Sequence, residues 1–111
     1  MTPTTLTIES GSVFKEQVMQ IQLEVVNEIK KVAREKIGQL KGEALINEAI
    51  QIVGGGFTAF QNQLSLTYNA APWNDLAKMM INSLKNTYFY NNVHLLGEVK
   101  KILSGEEGRY E

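Results

Sequence analysis

The clearest hydrophobic pattern in the chain runs from residue 13 to residue 40. At 100° per residue, its apolar side chains fall in one arc of a helix surface, from about 180° to 340° when Lys30 is set to zero. Polar side chains fill the opposite arc, where Leu23 is the one large apolar residue. This pattern predicts one long amphipathic helix that contacts two or more neighbours. The members of the apolar arc are Val18, Met19, Ile21, Val25, Val26, Ile29, Val32, Ala33 and Ile37.

Both ends of this helix carry capping signals. Ser10 or Ser12 is the predicted N-cap, because a serine hydroxyl can accept a hydrogen bond from a free backbone amide of the first turn. Gly38 and Gly42 are the predicted ends, since glycine readily adopts the left-handed conformation that closes a helix. Residues 1–11 are threonine-rich and are predicted to form a flexible arm. Their weak strand pattern leaves open an arm that pairs with a neighbouring chain.

A second amphipathic helix is predicted over residues 43–53, and Gly54, Gly55 and Gly56 follow it. Each glycine costs roughly 1 kcal/mol inside a helix, so the run is predicted to end the helix in a turn. A close crossing of two helices, or a hinge, is the alternative. A phosphate-binding loop is disfavoured, because no Lys-Ser/Thr pair follows the glycines.

Residues 57–70 fit two patterns. Phe57, Phe60 and Leu64 share one face of a helix, whereas Leu64 and Tyr68 belong to an alternating pattern typical of a strand. We predict a short helix that gives way to an extended stretch. A short β-hairpin near residues 62–70 is the alternative.

Two more helices complete the chain. The third is predicted to begin near Pro72 and to run to about Tyr90, with Phe89 projecting among its polar residues. The fourth is predicted over residues 93–103, where Ser104-Gly105 ends it.

Together these elements predict an all-α fold, a small helical bundle of four to five helices around the one long N-terminal helix. Residues 12–104 are predicted to form a single helical domain. Residues 105–111 are predicted to form a mobile tail.

Composition narrows the class of protein. The hydrophobic fraction of 43% and the charged fraction of 21% are ordinary for a soluble globular domain. The formal net charge of −1 gives no global field that would favour nucleic acid or a membrane surface. The absence of cysteine excludes disulfides, cysteine catalysis and thiolate metal sites. No secretory signal or membrane span is visible, so we expect the cytoplasm, or a particle assembled there, as the location.

Catalytic chemistry has no visible signature. The one histidine, His94, is predicted on the polar side of the fourth helix, with no nucleophile or orienting partner in a local motif. Glu24, Glu28 and Glu35 share a helix face, but Lys31 lies among them, which is typical of a solvated, charge-paired face. No catalytic residue, cofactor or metal site is predicted, and we expect a protein that is not an enzyme.

The best candidate for nucleic-acid contact is a basic row on the long helix. Lys30, Arg34 and Lys41 lie within about 40° of one another at helical spacing, so they could follow phosphates. No base-reading motif accompanies them, and the simpler interpretation is a solubilising surface.

The second half of the chain is almost free of charge. From Ala49 to Gly97, the formally charged side chains are Asp75, Lys78 and Lys85 alone. Protein interfaces are depleted in Lys and Glu and enriched in aromatic residues and Met, so this half is predicted to be partly covered by another chain. The predicted contact residues are Trp73, Tyr88, Phe89, Tyr90, Phe57 and Phe60.

The leading hypothesis is a non-enzymatic structural or protein-interaction protein that self-associates or docks on a larger complex, such as a bacterial or phage assembly. A nucleic-acid-associated helical subunit that uses the basic row is the first alternative. A small-ligand binder or an enzyme, with a pocket under Trp73 and the tyrosines, is the second.

Overall fold

The computed structural model describes residues 8–106, and the side chains of residues 10–106. All regular structure in this range is helical, which confirms the predicted all-α class. The alternative of a β-hairpin near residues 62–70 is not supported, because a helix covers most of that stretch. The elements are α1 (Ile8–Arg34), α2 (Gly42–Thr67), α3 (Trp73–Leu84), a five-residue π-helical turn (Lys85–Phe89) and α4 (Leu95–Ser104).

Helices α1 and α2 form an antiparallel hairpin, and the remainder of the chain runs back along it as a third, broken segment. At one end, the rings of Phe14 in α1 and Trp73 in α3 stack with centroids 5.1 Å apart. At the other end, the amide of Gly38 donates to the carbonyl of Leu103 at 3.0 Å. The third segment therefore runs parallel to α1. The molecule is elongated, with extents of 53 × 25 × 20 Å.

Helix α1 begins and ends earlier than the sequence predicted. Ser10 and Ser12 lie inside the helix, so the prediction that either is its N-cap is wrong. The helix ends at Arg34 and is followed by a turn in which Gly38 has a φ of +76°. A side chain would be strained in that conformation, and it is the turn, docked on the end of α4, that stops α1. The predicted arm and tail lie largely outside the described residues.

Helix α2 passes through all three glycines, so the prediction of a turn after residue 53 is wrong. A Cβ on Gly56 would lie 2.1 Å from Cδ1 of Ile29, well inside van der Waals contact. The backbones of α1 and α2 approach this closely only because no side chain stands between them. A Cβ on Gly54 would lie 3.0 Å from the hydroxyl of Tyr90. The favourable packing outweighs the weak helix propensity of glycine, and the alternative of a close helix crossing is the correct one.

The π-helical turn changes which aromatic ring enters the core. The amide of Tyr90 donates to the carbonyl of Lys85 at 2.8 Å, five residues back rather than four. This turn holds one extra residue, so every later side chain is rotated by about 100° relative to a regular helix. Phe89 is therefore 0% exposed, and the prediction that it projects among polar residues is wrong.

The core lies where the third segment packs against the hairpin. The ring of Phe89 contacts those of Phe57 and Phe60, with centroids 5.0 and 5.2 Å apart. In α4, the residues predicted to face inward are all buried, and Gly105, with a φ of +85°, closes the helix as predicted. The buried side chains of α4 are Leu95, Leu96, Val99, Ile102 and Leu103.

Candidate protein-binding cleft

A cleft opens between α1 and α3, because both helices pack on α2 but do not pack closely on each other. Two hollows that share no lining residue lie along α1, and α3 lines the first of them only. One, of about 430 Å³, lies between Phe14 of α1 and Trp73 and Met80 of α3. The other, of about 500 Å³, lies along α1 next to Tyr88. We call this surface the α1–α3 cleft; its apolar lining is Phe14, Met19, Leu23, Val26, Trp73, Leu76, Met79, Met80 and Tyr88.

The most solvent-exposed apolar side chains of the cleft are Met19 (65% exposed), Leu23 (52%) and Met79 (65%). A single exposed apolar residue needs no explanation, but several in two hollows along the same helix are typical of a binding surface. Three of the lining residues are methionines, whose unbranched side chains adapt their shape to a partner. The arrangement is suited to bind an apolar protein surface.

Charged side chains are sparse in the cleft. Lys15 and Glu16 of α1 line its two hollows, and α3 contributes no charged lining residue. A contact surface with few charges at its centre costs less free energy to remove from water. The cleft is therefore better suited to an apolar partner than to nucleic acid or a polar small molecule.

The structure divides the six predicted contact residues into two groups. Phe57, Phe60 and Phe89 are 5%, 0% and 0% exposed and belong to the core, so burial within the chain leaves them no surface for a partner. Trp73 and Tyr88 are partly exposed and line the cleft. Tyr90 is partly buried over Gly54 and lies outside the cleft.

Sequence reasoning missed the methionines. Leu23 gave a signal, as the one large apolar residue on the polar side of α1. Met19 lies at the edge of the predicted apolar arc of the same helix. Met79 gave none, because it belongs to neither face of the amphipathic pattern, and only the position of α3 beside α1 brings it to the cleft.

The predicted basic row is not continuous on one helix. Lys30 forms an ion pair with Glu98 of α4, with Nζ and Oε2 2.7 Å apart. Arg34 is the last residue of α1, and Lys41 lies across the connection, at the N-cap position of α2. The prediction that the three side chains lie within about 40° of one another required α1 to reach residue 41. The turn at residues 35–38 ends the helix before that point.

A small polar cluster lies at the junction of the cleft with α4. The exposed imidazole of His94 stacks on the ring of Tyr88, with centroids 5.7 Å apart. Burial raises the pKa of the Tyr88 hydroxyl, and so does the carboxylate of Glu98, while Lys30 acts in the opposite direction. A tyrosine with a raised pKa stays protonated at neutral pH, so it is not poised as a base or a nucleophile.

Within residues 8–106, no three His, Asp or Glu side chains come together in a way that could hold a metal ion. In the same part of the chain, no helix combines the length and the apolar character needed to cross a membrane.

Comparison of the chain with protein-family models, with curated proteins and with solved structures found no match. The function is therefore argued from the surface itself.

Proposed function

We propose that this chain is a non-enzymatic protein-interaction protein that self-associates, with the α1–α3 cleft as a contact surface. The observation that carries this proposal is the exposure of Met19, Leu23 and Met79 in the two hollows of the cleft. Each is at least half exposed; Met19 and Leu23 line one hollow, and Met79 lines the other.

The magnitude of the apolar contribution supports an interface that extends beyond these three residues. Full burial of a Leu or Met side chain contributes roughly 1.5–3 kcal/mol. Each of the three is already partly covered, so together they contribute about 3–5 kcal/mol. Association costs at least about 4 kcal/mol in lost rigid-body freedom. The three side chains can therefore form the centre of an interface, and a stable complex needs further contacts around them.

The test is the solution mass of the full chain, measured by light scattering over a dilution series. We expect a mass that is a multiple of 12.4 kDa and that falls on dilution. Substitution of Met79 or Leu23 by Glu should shift the chain to the monomer, because a carboxylate would then be buried at the contact.

Val93→Glu is the matched control. Val93 is 84% exposed and lines neither hollow of the cleft, so the same added charge should leave the mass unchanged. A monomeric wild-type chain at every concentration would rule out self-association.

A further inference from the structure

A second apolar depression lies on the opposite side of the molecule. It is a groove of about 480 Å³, and its lining comes from α1 and α2 alone. Gly55 and Ala59 form part of one wall, on a face of α2 that points away from the third segment. Val25 and Ile29 of α1 form part of the other. We call it the α1–α2 groove.

The shape of this groove follows from the glycines. Gly56 lets the two helices cross closely, which sets the depth of the floor. Gly55 has open space where a Cβ would be, and Ala59, one turn later, adds only a methyl group. A convex, helix-sized object can therefore approach the backbone of α2 along this line.

The charged side chains that line the α1 wall of the groove are both acidic, and Lys31, on the same face of α1, lies outside the lining. Glu24 and Glu28 line this wall, one helical turn apart on the same face. Neither carboxylate has an ion-pair partner within the part of the chain that the structure describes. An occupant that brings positive charge to this wall would gain an attraction that the isolated chain lacks.

The exposed surface of α3 and the turn after it, the α3 ridge, carries Asp75, Lys78 and Lys85, so its net charge is positive. Ala77 and Ile81 face the core, so Met79 lies near the outward crest of the helix. Lys78 lies on the flank of the ridge that faces the end of α2, away from the α1–α3 cleft. Lys85, the first residue of the π-helical turn, follows on the same side at helical spacing, about 10 Å further along the axis. Both are exposed, and neither is ion-paired to a described residue.

We propose that the α3 ridge of one copy lies in the α1–α2 groove of a second copy, so that the chain assembles head to tail. This inference rests on the proposed self-association and specifies its geometry. Met79 enters the groove, and Lys78 and Lys85 face Glu24 and Glu28 of the other copy. The α2 rim of the groove then enters the α1–α3 cleft, and Leu66, which is 79% exposed, stands on that rim.

Charge argues against the two symmetric alternatives. If two α3 ridges met face to face, two surfaces of net positive charge would meet, since each carries two lysines and Asp75. If two grooves met, glutamates would meet glutamates. Both arrangements place like charges together, whereas the head-to-tail arrangement pairs opposite charges. Since ridge and groove lie on opposite sides of the molecule, each copy can bind two neighbours, and the contact extends into a ring or a filament.

The test is a mixing experiment with two variants of the full chain. Met79→Glu blocks the ridge and leaves the groove intact, and Ala59→Glu blocks the groove and leaves the ridge intact. Both positions are exposed and helical, and Glu is a good helix former, so circular dichroism should show folded proteins. Each variant alone is expected to be a monomer.

Mixed at equal concentrations, the two variants should form a complex of one copy of each and nothing larger, because only one intact ridge and one intact groove remain. Light scattering should then report twice the mass of one chain. Val93→Glu and Gln61→Glu, at exposed positions that line neither surface, are controls that should assemble like the wild type.

The outcomes separate the two proposals. A wild-type chain that stays monomeric ends both of them. A wild-type chain that assembles, with variants that form no complex on mixing, overturns the head-to-tail geometry and leaves self-association standing. Variants that each assemble like the wild type on their own would also overturn the ridge-and-groove contact.

A second measurement tests the charge pairing. The double variant Lys78→Glu/Lys85→Glu should lose assembly, and mixing it with Glu24→Lys/Glu28→Lys should restore a complex between the two. If the Lys78→Glu/Lys85→Glu variant assembles as strongly as the wild type, this part of the inference is contradicted.

Discussion

The close crossing of α1 and α2 predicts opposite effects for one substitution made at two neighbouring glycines. Gly55 and Gly56 both lie inside α2, so replacement by Ala gains about 0.8–1 kcal/mol of helix propensity at either position. At Gly55 the new methyl group meets no atom within 4 Å. At Gly56 it would lie 2.1 and 2.2 Å from Cδ1 and Cγ1 of Ile29.

The cost at Gly56 depends on whether Ile29 can move. Its side chain is β-branched, which leaves one strongly preferred χ1 rotamer in a helix, and it is 3% exposed. Either the side chain leaves its rotamer or the helices separate, and overpacking of this kind costs about 1–3 kcal/mol. The gain in helix propensity is the same in both variants, so only the overpacking cost distinguishes them. The free energies of unfolding of Gly55→Ala and Gly56→Ala should therefore differ by that cost, with Gly56→Ala the less stable.

Urea unfolding followed by far-UV circular dichroism measures this difference. With an m-value of about 1–2 kcal/mol/M, a difference of about 2 kcal/mol separates the two midpoints by roughly 1–2 M. Protein concentration must be equal in all samples, since self-association would add to the apparent stability. Ile29→Ala removes both clashing atoms, so the difference should nearly vanish in that background. Equal midpoints for the two variants in the wild-type background would refute the close crossing.

Three further predictions concern the third segment. Gly97→Ala should destabilise the chain by more than 3 kcal/mol or displace α4, since its Cβ would lie 1.7 Å from the backbone oxygen of Asn92; thermal unfolding would show this, and a wild-type Tm would contradict it. Phe89→Ala should cost about 3–5 kcal/mol of stability even in a monomeric background such as Met79→Glu. In the otherwise wild-type chain, a loss of assembly with unchanged stability would instead place Phe89 at an interface. Because the pKa of Tyr88 is raised above its ordinary 10.0, the folded chain holds this proton longer than the unfolded chain. The free energy of unfolding should therefore fall as pH rises above about 10, and Tyr88→Phe should make that fall shallower; an unchanged pH dependence would exclude the coupling.

Hydrophobic periodicity predicted the presence of α1 and α4 and most of their buried positions, but not the ends of α1. The apolar arc of α1 contains Val18, Val25 and Ile29, which the structure buries, and the predicted inward face of α4 is wholly buried. These stretches depend on packing along one helix face, which is a local pattern in the sequence.

The errors arose where contacts between distant residues decide the local structure. Glycine propensity predicts a break at residues 54–56, but the side chain that makes glycine favourable there is Ile29, in another helix. The core position of Phe89 depends on a π-helical turn, and a count at 100° per residue cannot detect an extra residue within a turn.

The candidate site was the least predictable part. Trp73 and Tyr88 were identified from aromatic content and do line the cleft. Met79 could not be identified, since it belongs to neither face of the amphipathic pattern and lines the cleft only because α3 lies beside α1. The α1–α2 groove depends likewise on a helix crossing that the sequence pattern did not predict.

The π-helical turn at Lys85–Phe89 also bears on which changes of chain length the protein can accommodate. A turn with one surplus residue behaves as an insertion that the helix has already absorbed. Deletion of one residue from this turn, such as Asn86, would convert it to a regular α-helical turn and leave Phe89 and all of α4 in their present places in space. The same deletion within α3, between Ala77 and Ile81, would rotate every following side chain away from its neighbour. At this turn the length of the chain can therefore vary by one residue without a change in the core, although the turn itself contains Phe89, whose ring lies in the core.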